Sequence, residues 1–170
     1  KNTLVELRRV IDKVLDASRE ETHSGTVFDL GPGHSPQKPV LRRLKKPDEY
    51  DQVFWDFASG LIADVASDIA GPDVVFHHSK LNFKWNDGSD EVKWHQDAQF
   101  FPHTNYNVFT IGCYLNDTGL EDGPLAVMPG SHQGELYNLY HGETWAGCLT
   151  DEDAGSLSME DAEYLTGGEG

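Results

Sequence analysis

The chain has 170 residues, of which 38% are hydrophobic and 11% aromatic, and it carries a formal net charge of −16 at pH 7. This length predicts one domain with its own core, and the aromatic content favours a folded chain over a disordered one. Nucleic acid and anionic membrane surfaces both require a cationic footprint, so the charge argues against them as partners. No apolar run is long enough to span a bilayer and no basic-then-apolar leader opens the chain, so we expect a cytoplasmic protein.

Residues 1–71 predict two helices separated by loops. Apolar residues recur at helical spacing from residue 2 to residue 18, which indicates an amphipathic helix. Glycines and prolines between residues 20 and 46 predict loops with a short strand at 26–30. Pro47 is followed by two acids and begins a second helix, because proline suits the first helical position and acids suit the first turn. Gly71 and Pro72 end that helix.

After residue 71 the pattern changes to short strands and turns. The strand candidates share β-branched and aromatic residues between turn signals, and they are 74–85, 92–101, 107–116, 125–128 and 135–140. Helices followed by short antiparallel strands predict an α+β domain whose strands form a jelly roll. We therefore expect a single domain over residues 1–170. It would be helical over 1–71 and β-rich over 74–141, with an acidic, loop-rich tail over 142–170.

One predicted strand carries a histidine and an aspartate two residues apart, His95 and Asp97. Side chains alternate between the faces of a strand, so these two point the same way. An imidazole nitrogen and a carboxylate oxygen are two of the three ligands of a 2-His-1-carboxylate site, which leaves open positions on Fe(II). Taken alone, the pair is equally consistent with two polar residues on a solvated strand face.

The surrounding motifs are more specific than the pair. The run from Trp94 to Pro102 is followed by the predicted strand 107–116 and by a stretch that ends in Pro-Gly-Ser-His at residues 129–132. In this order they resemble the phytanoyl-CoA dioxygenase family of Fe(II)/2-oxoglutarate oxygenases, and residues 77–84 resemble the strand that precedes them. The resemblance implies a double-stranded β-helix with helices packed outside it. It also implies hydroxylation of a small-molecule substrate, coupled to oxidative decarboxylation of 2-oxoglutarate by dioxygen.

The resemblance assigns His95 and Asp97 as the catalytic metal ligands. The second histidine ligand, and the arginine that binds the distal carboxylate of 2-oxoglutarate, would follow Gly170. We expect that histidine within roughly 15 residues and the arginine about ten residues later. Without them, the 170-residue chain alone is expected to be inactive.

Three further residues are candidates for binding the cosubstrate. By resemblance, the Thr110 hydroxyl faces the carboxylate of 2-oxoglutarate, and Asn82 supplies an amide from the preceding strand. Strand alternation places His78 on the same face as Asn82, so both would look into one pocket. The alternative is that Asn82 and Thr110 belong to a solvated polar face.

Two other functions and two other histidines remain as alternatives. A non-catalytic jelly-roll module would use His95 and Asp97 as polar contacts to a ligand. A non-oxidative, metal-dependent cupin-like enzyme would usually carry His-x-His instead of His-x-Asp. His132 lies in the Pro-Gly-Ser-His turn, and we predict that it is a structural turn residue. His141 and Glu143 form a rival pair beside a glycine, and we predict that this pair lies in a surface loop.

Overall fold

The computed structural model describes residues 2–85, 91–101, 103–105 and 107–168. The chain divides into two compact units, Lys1–Trp85 and Asn86–Gly170. Helices and antiparallel strands both occur, so the predicted α+β class is confirmed. In the part of the chain that is described, no helix is long and apolar enough to cross a membrane.

The first helix lies where its periodicity predicts. Helix α1 spans Asn2–Ser18. Its side chains at Leu7, Val10 and Val14 are at most 2% exposed, whereas Val5 on the other side is 62% exposed. The apolar face of α1 therefore packs inward and its charged face meets solvent.

The predicted second helix begins at Pro47 but is interrupted. It consists of α2 (Pro47–Tyr50), α3 (Gln52–Phe57), a π-helical turn (Ala58–Ile62) and α4 (Ala63–Ala70). Asp51 has extended backbone and its carboxylate accepts a hydrogen bond from the Val53 N–H at 3.0 Å, so it ends α2 and caps α3. Gly71 ends α4 with a φ of 91°.

A three-stranded antiparallel sheet completes the first unit. Its strands are β1 (Phe28–Leu30), β2 (Leu41–Lys45) and β3 (Lys80–Asn82), in the order β1-β2-β3. Leu41 and Leu44 of the central strand are fully buried. Strand β2 lies in a region predicted as loops. Its two buried leucines are three residues apart and so do not show the alternation that identifies a strand.

The second unit has shorter strands in two separate pairs. Strand β4 (Leu125–Val127) pairs with β7 (Glu163–Leu165), and β5 (Tyr140–His141) pairs with β6 (Thr144–Trp145), all antiparallel. Helix α5 spans Asp151–Gly155. Short 3₁₀ turns lie at Asp97–Phe100, Leu120–Asp122, Ser131–Gln133 and Met159–Asp161. Strand β7 and helix α5 fall in the segment predicted as a loop-rich tail.

Several predicted strands are wrong. The described residues of 92–101 and 107–116 form no strand, and only Lys80–Asn82 of 74–85 and Tyr140 of 135–140 pair with a neighbour. β-propensity alone does not make a strand, which also needs a hydrogen-bonded partner. The described sheets have three, two and two strands, so they do not confirm the jelly roll. Pro102, the last residue of the central motif, lies outside the described residues.

Candidate functional site

The segment that carries His95 and Asp97 is extended and then turns into a 3₁₀ helix. Gln96, between them, has a φ of −119° and a ψ of 116°, and the 3₁₀ helix Asp97–Phe100 follows. Because extended backbone directs alternate side chains to one side, His95 and Asp97 meet although this segment is not part of a sheet. The His95 Nε2 and Asp97 Oδ1 atoms are 3.3 Å apart, and both side chains are partly exposed.

The imidazole of His95 takes its orientation from nearby groups. Its Nδ1 lies 2.8 Å from the Lys93 carbonyl oxygen. Since a carbonyl oxygen only accepts, Nδ1 donates the hydrogen bond. In the neutral ring, Nε2 then keeps the lone pair. The Phe100 ring packs edge-to-face on the imidazole, with ring centroids 5.6 Å apart.

The Asp97 carboxylate is oriented by a threonine. The Thr110 hydroxyl donates a hydrogen bond to Asp97 Oδ2 at 3.1 Å. The other oxygen, Oδ1, is the one that faces His95. The structure therefore brings Thr110 together with the His95–Asp97 pair through a contact to the carboxylate, which the sequence pattern did not indicate.

These donor atoms fit two adjacent positions around a metal ion. With Nδ1 protonated, Nε2 and Oδ1 are both electron-rich, so their 3.3 Å approach favours a proton or a cation between them. Ligand atoms at about 2.1 Å from a divalent metal, in neighbouring positions, lie roughly 3 Å from each other. A backbone carbonyl that receives the other ring N–H is also one of the common partners of a metal-binding histidine. The described residues contain no cluster of three or more His, Cys, Asp or Glu side chains that would complete the ligand set.

An aromatic hairpin lies beside the pair. The Phe100 ring contacts Trp145 edge-to-face with centroids 5.4 Å apart, and Trp145 contacts Tyr140 at 5.0 Å. Tyr140 comes from β5 and Trp145 from β6, and each is more than 40% exposed. Sequence analysis did not select these two residues, because the predicted strand ended at Tyr140 and the segment beyond it reads as a polar tail.

The other two predicted cosubstrate residues belong to the first unit. The Asn82 side-chain oxygen, in β3, accepts a hydrogen bond from Arg43 Nε at 3.2 Å. His78 precedes β3, and its Nδ1 lies 2.8 Å from the Nδ1 of His77. Both Asn82 and His78 are exposed. Their placement in one pocket with His95 and Asp97 remains a prediction.

The rival histidines have other surroundings. His141 Nε2 lies 3.2 Å from the carbonyl oxygens of both Cys148 and Leu149, so this nitrogen carries a hydrogen and does not present a lone pair. His132 lies in the 3₁₀ turn Ser131–Gln133 and is exposed.

Comparisons with known proteins agree with the sequence motifs. A family model described as "Phytanoyl-CoA dioxygenase (PhyH)" matches residues 1–163. The chain is 36% identical over 132 residues to a Stutzerimonas stutzeri protein named "Probable alpha-ketoglutarate-dependent hypophosphite dioxygenase". The matched region covers 75% of this chain and 46% of that protein. It is 30% identical over 104 residues to an ectoine dioxygenase of Sphingopyxis alaskensis, and this match covers 59% of this chain and 30% of that protein.

A third relative is an L-proline trans-4-hydroxylase of Streptomyces griseoviridis, 26% identical over 135 residues, covering 76% of this chain and 48% of that protein. The chain thus spans less than half the length of each of these three relatives. No solved structure matches the chain.

Proposed function

The chain belongs to the phytanoyl-CoA dioxygenase family, and we propose that it provides the iron-binding pair of a 2-oxoglutarate-dependent dioxygenase that hydroxylates a small molecule. The observation that carries this proposal is the 3.3 Å approach of His95 Nε2 to Asp97 Oδ1, with the other ring nitrogen donating to the Lys93 carbonyl. The proposal includes the jelly-roll arrangement, the single domain over 1–170 and the cytoplasmic location predicted from the sequence.

Each residue of the pair has a defined task in this proposal. His95 supplies a neutral imidazole nitrogen to Fe(II), and Asp97 supplies one carboxylate oxygen while Thr110 holds the other. Bound Fe(II) with open positions supplies the dioxygen chemistry, with 2-oxoglutarate as the cosubstrate that is decarboxylated. The names of the relatives support a small-molecule substrate, since they refer to hypophosphite, ectoine and proline.

Binding of 2-oxoglutarate also requires a cation for its distal carboxylate. Charge-assisted pairing makes arginine the usual partner. Residues 94–170 contain neither lysine nor arginine. The cation must therefore come from the part of the chain before Trp94 or from outside this sequence. Asn82, as the family resemblance implies, and His78, as strand alternation predicts, would add polar contacts to the cosubstrate. The resemblance gives Thr110 the same task; its hydroxyl has one proton, so donating it to the cosubstrate carboxylate would replace its hydrogen bond to Asp97 Oδ2.

Anaerobic titration with Fe(II), followed by addition of 2-oxoglutarate, tests the proposal. We expect saturable Fe(II) binding, and a visible charge-transfer band once 2-oxoglutarate chelates the metal. His95→Ala and Asp97→Ala should each weaken Fe(II) binding at least a hundredfold, because each removes a direct ligand. His132→Ala is the matched control, since it removes an exposed imidazole from the same unit and should leave Fe(II) binding unchanged.

The opposite result is equally clear. If the unsubstituted chain and all three variants bind Fe(II) with the same affinity, metal binding does not involve His95 and Asp97, and the proposed function is wrong. Circular dichroism of each variant establishes that the fold is retained, so that loss of binding is assigned to the missing ligand.

A further inference from the structure

Gln96 lies between the two proposed ligands, and its side chain contacts a distant backbone segment. Its Oε1 accepts a hydrogen bond from the Tyr137 N–H at 2.9 Å, and its Nε2 donates one to the Glu135 carbonyl at 3.0 Å. A neighbouring β-strand would bind backbone groups spaced like these, a C=O and an N–H from residues two positions apart. Here the amide side chain of Gln96 binds both groups in place of a strand.

Gln99 adds a second amide to the same segment. Its Nε2 donates to the Tyr137 carbonyl at 2.8 Å and to Gln96 Oε1 at 3.1 Å. Gln96 and Gln99, which we call the glutamine clamp, thus bind three backbone groups of residues 135–137. Both side chains are half-buried, and their hydrogen bonds to Tyr137 are partly shielded from competing water, whereas the bond from Gln96 to the Glu135 carbonyl is exposed.

Little apolar packing is available to hold this part of the chain. Among the described residues of the second unit, only Leu139 and Leu149 are buried apolar side chains. The Leu149 N–H donates to the Trp94 carbonyl at 2.8 Å, which is a separate tie to the same segment. Hydrogen bonds on both sides of His95 therefore set where the segment lies.

We propose that Gln96 is a positioning residue for the His95–Asp97 pair, an inference that rests on the proposed function. The Gln96 backbone joins the two ligands, so a rotation about its φ or ψ would move His95 and Asp97 apart. By binding residues 135–137 at two points, the Gln96 amide fixes this backbone in the extended form that brings Nε2 and Oδ1 together. The amide does not touch the metal; it holds the chain between the two groups that do.

The test combines amide hydrogen exchange with Fe(II) titration of the 170-residue chain. Gln96→Leu removes both hydrogen bonds to the backbone of residues 135–137, together with the one from Gln99. We expect exchange at the Tyr137 N–H to accelerate about tenfold or more and Fe(II) affinity to fall about tenfold, as for other partners of metal ligands. Gln96→Glu keeps an acceptor for Tyr137 but loses the donor to Glu135. It should preserve Tyr137 protection and give a smaller loss of Fe(II) affinity.

Two controls separate positioning from general destabilisation. Gln133→Leu removes an exposed glutamine of the same unit and should change neither measurement. The Leu149 N–H, which is bound to Trp94 and not to the clamp, should keep its exchange rate in Gln96→Leu. Gln99→Leu, which leaves both Gln96 bonds to the backbone in place, should weaken Fe(II) binding less than Gln96→Leu does.

Three outcomes would overturn the inference. The first is Fe(II) affinity in Gln96→Leu equal to that in Gln133→Leu, although the unsubstituted chain binds the metal. The second is equal acceleration of exchange at Leu149 and Tyr137, which would mean that the glutamine stabilises the whole unit. The third is a Gln99→Leu loss as large as that of Gln96→Leu. Absence of Fe(II) binding in the unsubstituted chain would instead refute the proposed function.

Discussion

The two units of the chain are stabilised internally in different ways. The first has an apolar core in which α1 and β2 contribute side chains that are at most 2% exposed, among them Val14, Leu41 and Leu44. The second has only two buried leucines among its described residues, and the glutamine clamp adds three hydrogen bonds from side chains to its backbone. The candidate metal site lies in the second unit. Its geometry therefore depends on a few directional contacts, whereas the first unit depends on packed volume.

The largest effect on stability is expected from the core of the first unit. Leu41→Ala removes a fully buried side chain from the central strand and should lower the free energy of unfolding by about 3 kcal/mol. Urea unfolding followed by circular dichroism measures this. Leu61→Ala, at a side chain that is 60% exposed, is the matched control and should cost less than about 0.5 kcal/mol. A Leu41→Ala cost as small as that of Leu61→Ala would show that the first unit does not depend on its packed apolar core.

A smaller effect is expected at the threonine that orients Asp97. Thr110→Val keeps the shape of the side chain but removes the donor to Asp97 Oδ2, so Fe(II) affinity should fall about tenfold. Thr110→Ser keeps the hydroxyl and should bind Fe(II) nearly as well as the unsubstituted chain. Because Thr110 is exposed, the stability of the fold should change little in either variant. Equal Fe(II) affinities in the two variants would show that the hydroxyl does not orient the carboxylate.

The smallest effect concerns the thiol of Cys113 in the second unit. Although this residue is exposed, desolvation raises the pKa of its thiol above the ordinary value. The thiolate is the reactive form, so alkylation by iodoacetamide at pH 8 should be a few times slower than for glutathione and should accelerate as the pH rises further. Mass spectrometry of the Cys113 peptide, with Cys148→Ser to isolate one thiol, measures the rate. A rate equal to that of glutathione would indicate that water reaches this sulfur freely.

Local signals in the sequence were sufficient for some elements. The apolar periodicity of α1, the proline that begins α2 and the glycine that ends α4 each act within one or two turns of helix, and the structure confirms them. The interruption at Asp51 was missed, since a capping aspartate inside a helical pattern resembles any other exposed acid.

Elements that depend on distant partners were predicted poorly. Residues 92–101 have the composition of a strand, yet their neighbours at 135–137 are bound through glutamine side chains rather than through a backbone ladder. The composition of a strand cannot reveal that side-chain amides take the place of backbone hydrogen bonds. The approach of His95 and Asp97 followed from extended backbone alone, whereas the Thr110 contact required knowledge of how the chain returns after residue 101.

The hydrogen bond from His95 to Lys93 links residues only two positions apart. The orientation of the imidazole that this hydrogen bond sets consequently depends on contacts within three residues, 93–95. If neighbouring loops were exchanged during evolution while this tripeptide stayed extended, the imidazole would keep its tautomer and its direction. Changes in the surrounding loops could then alter what is recognised without changing the nitrogen that faces Asp97.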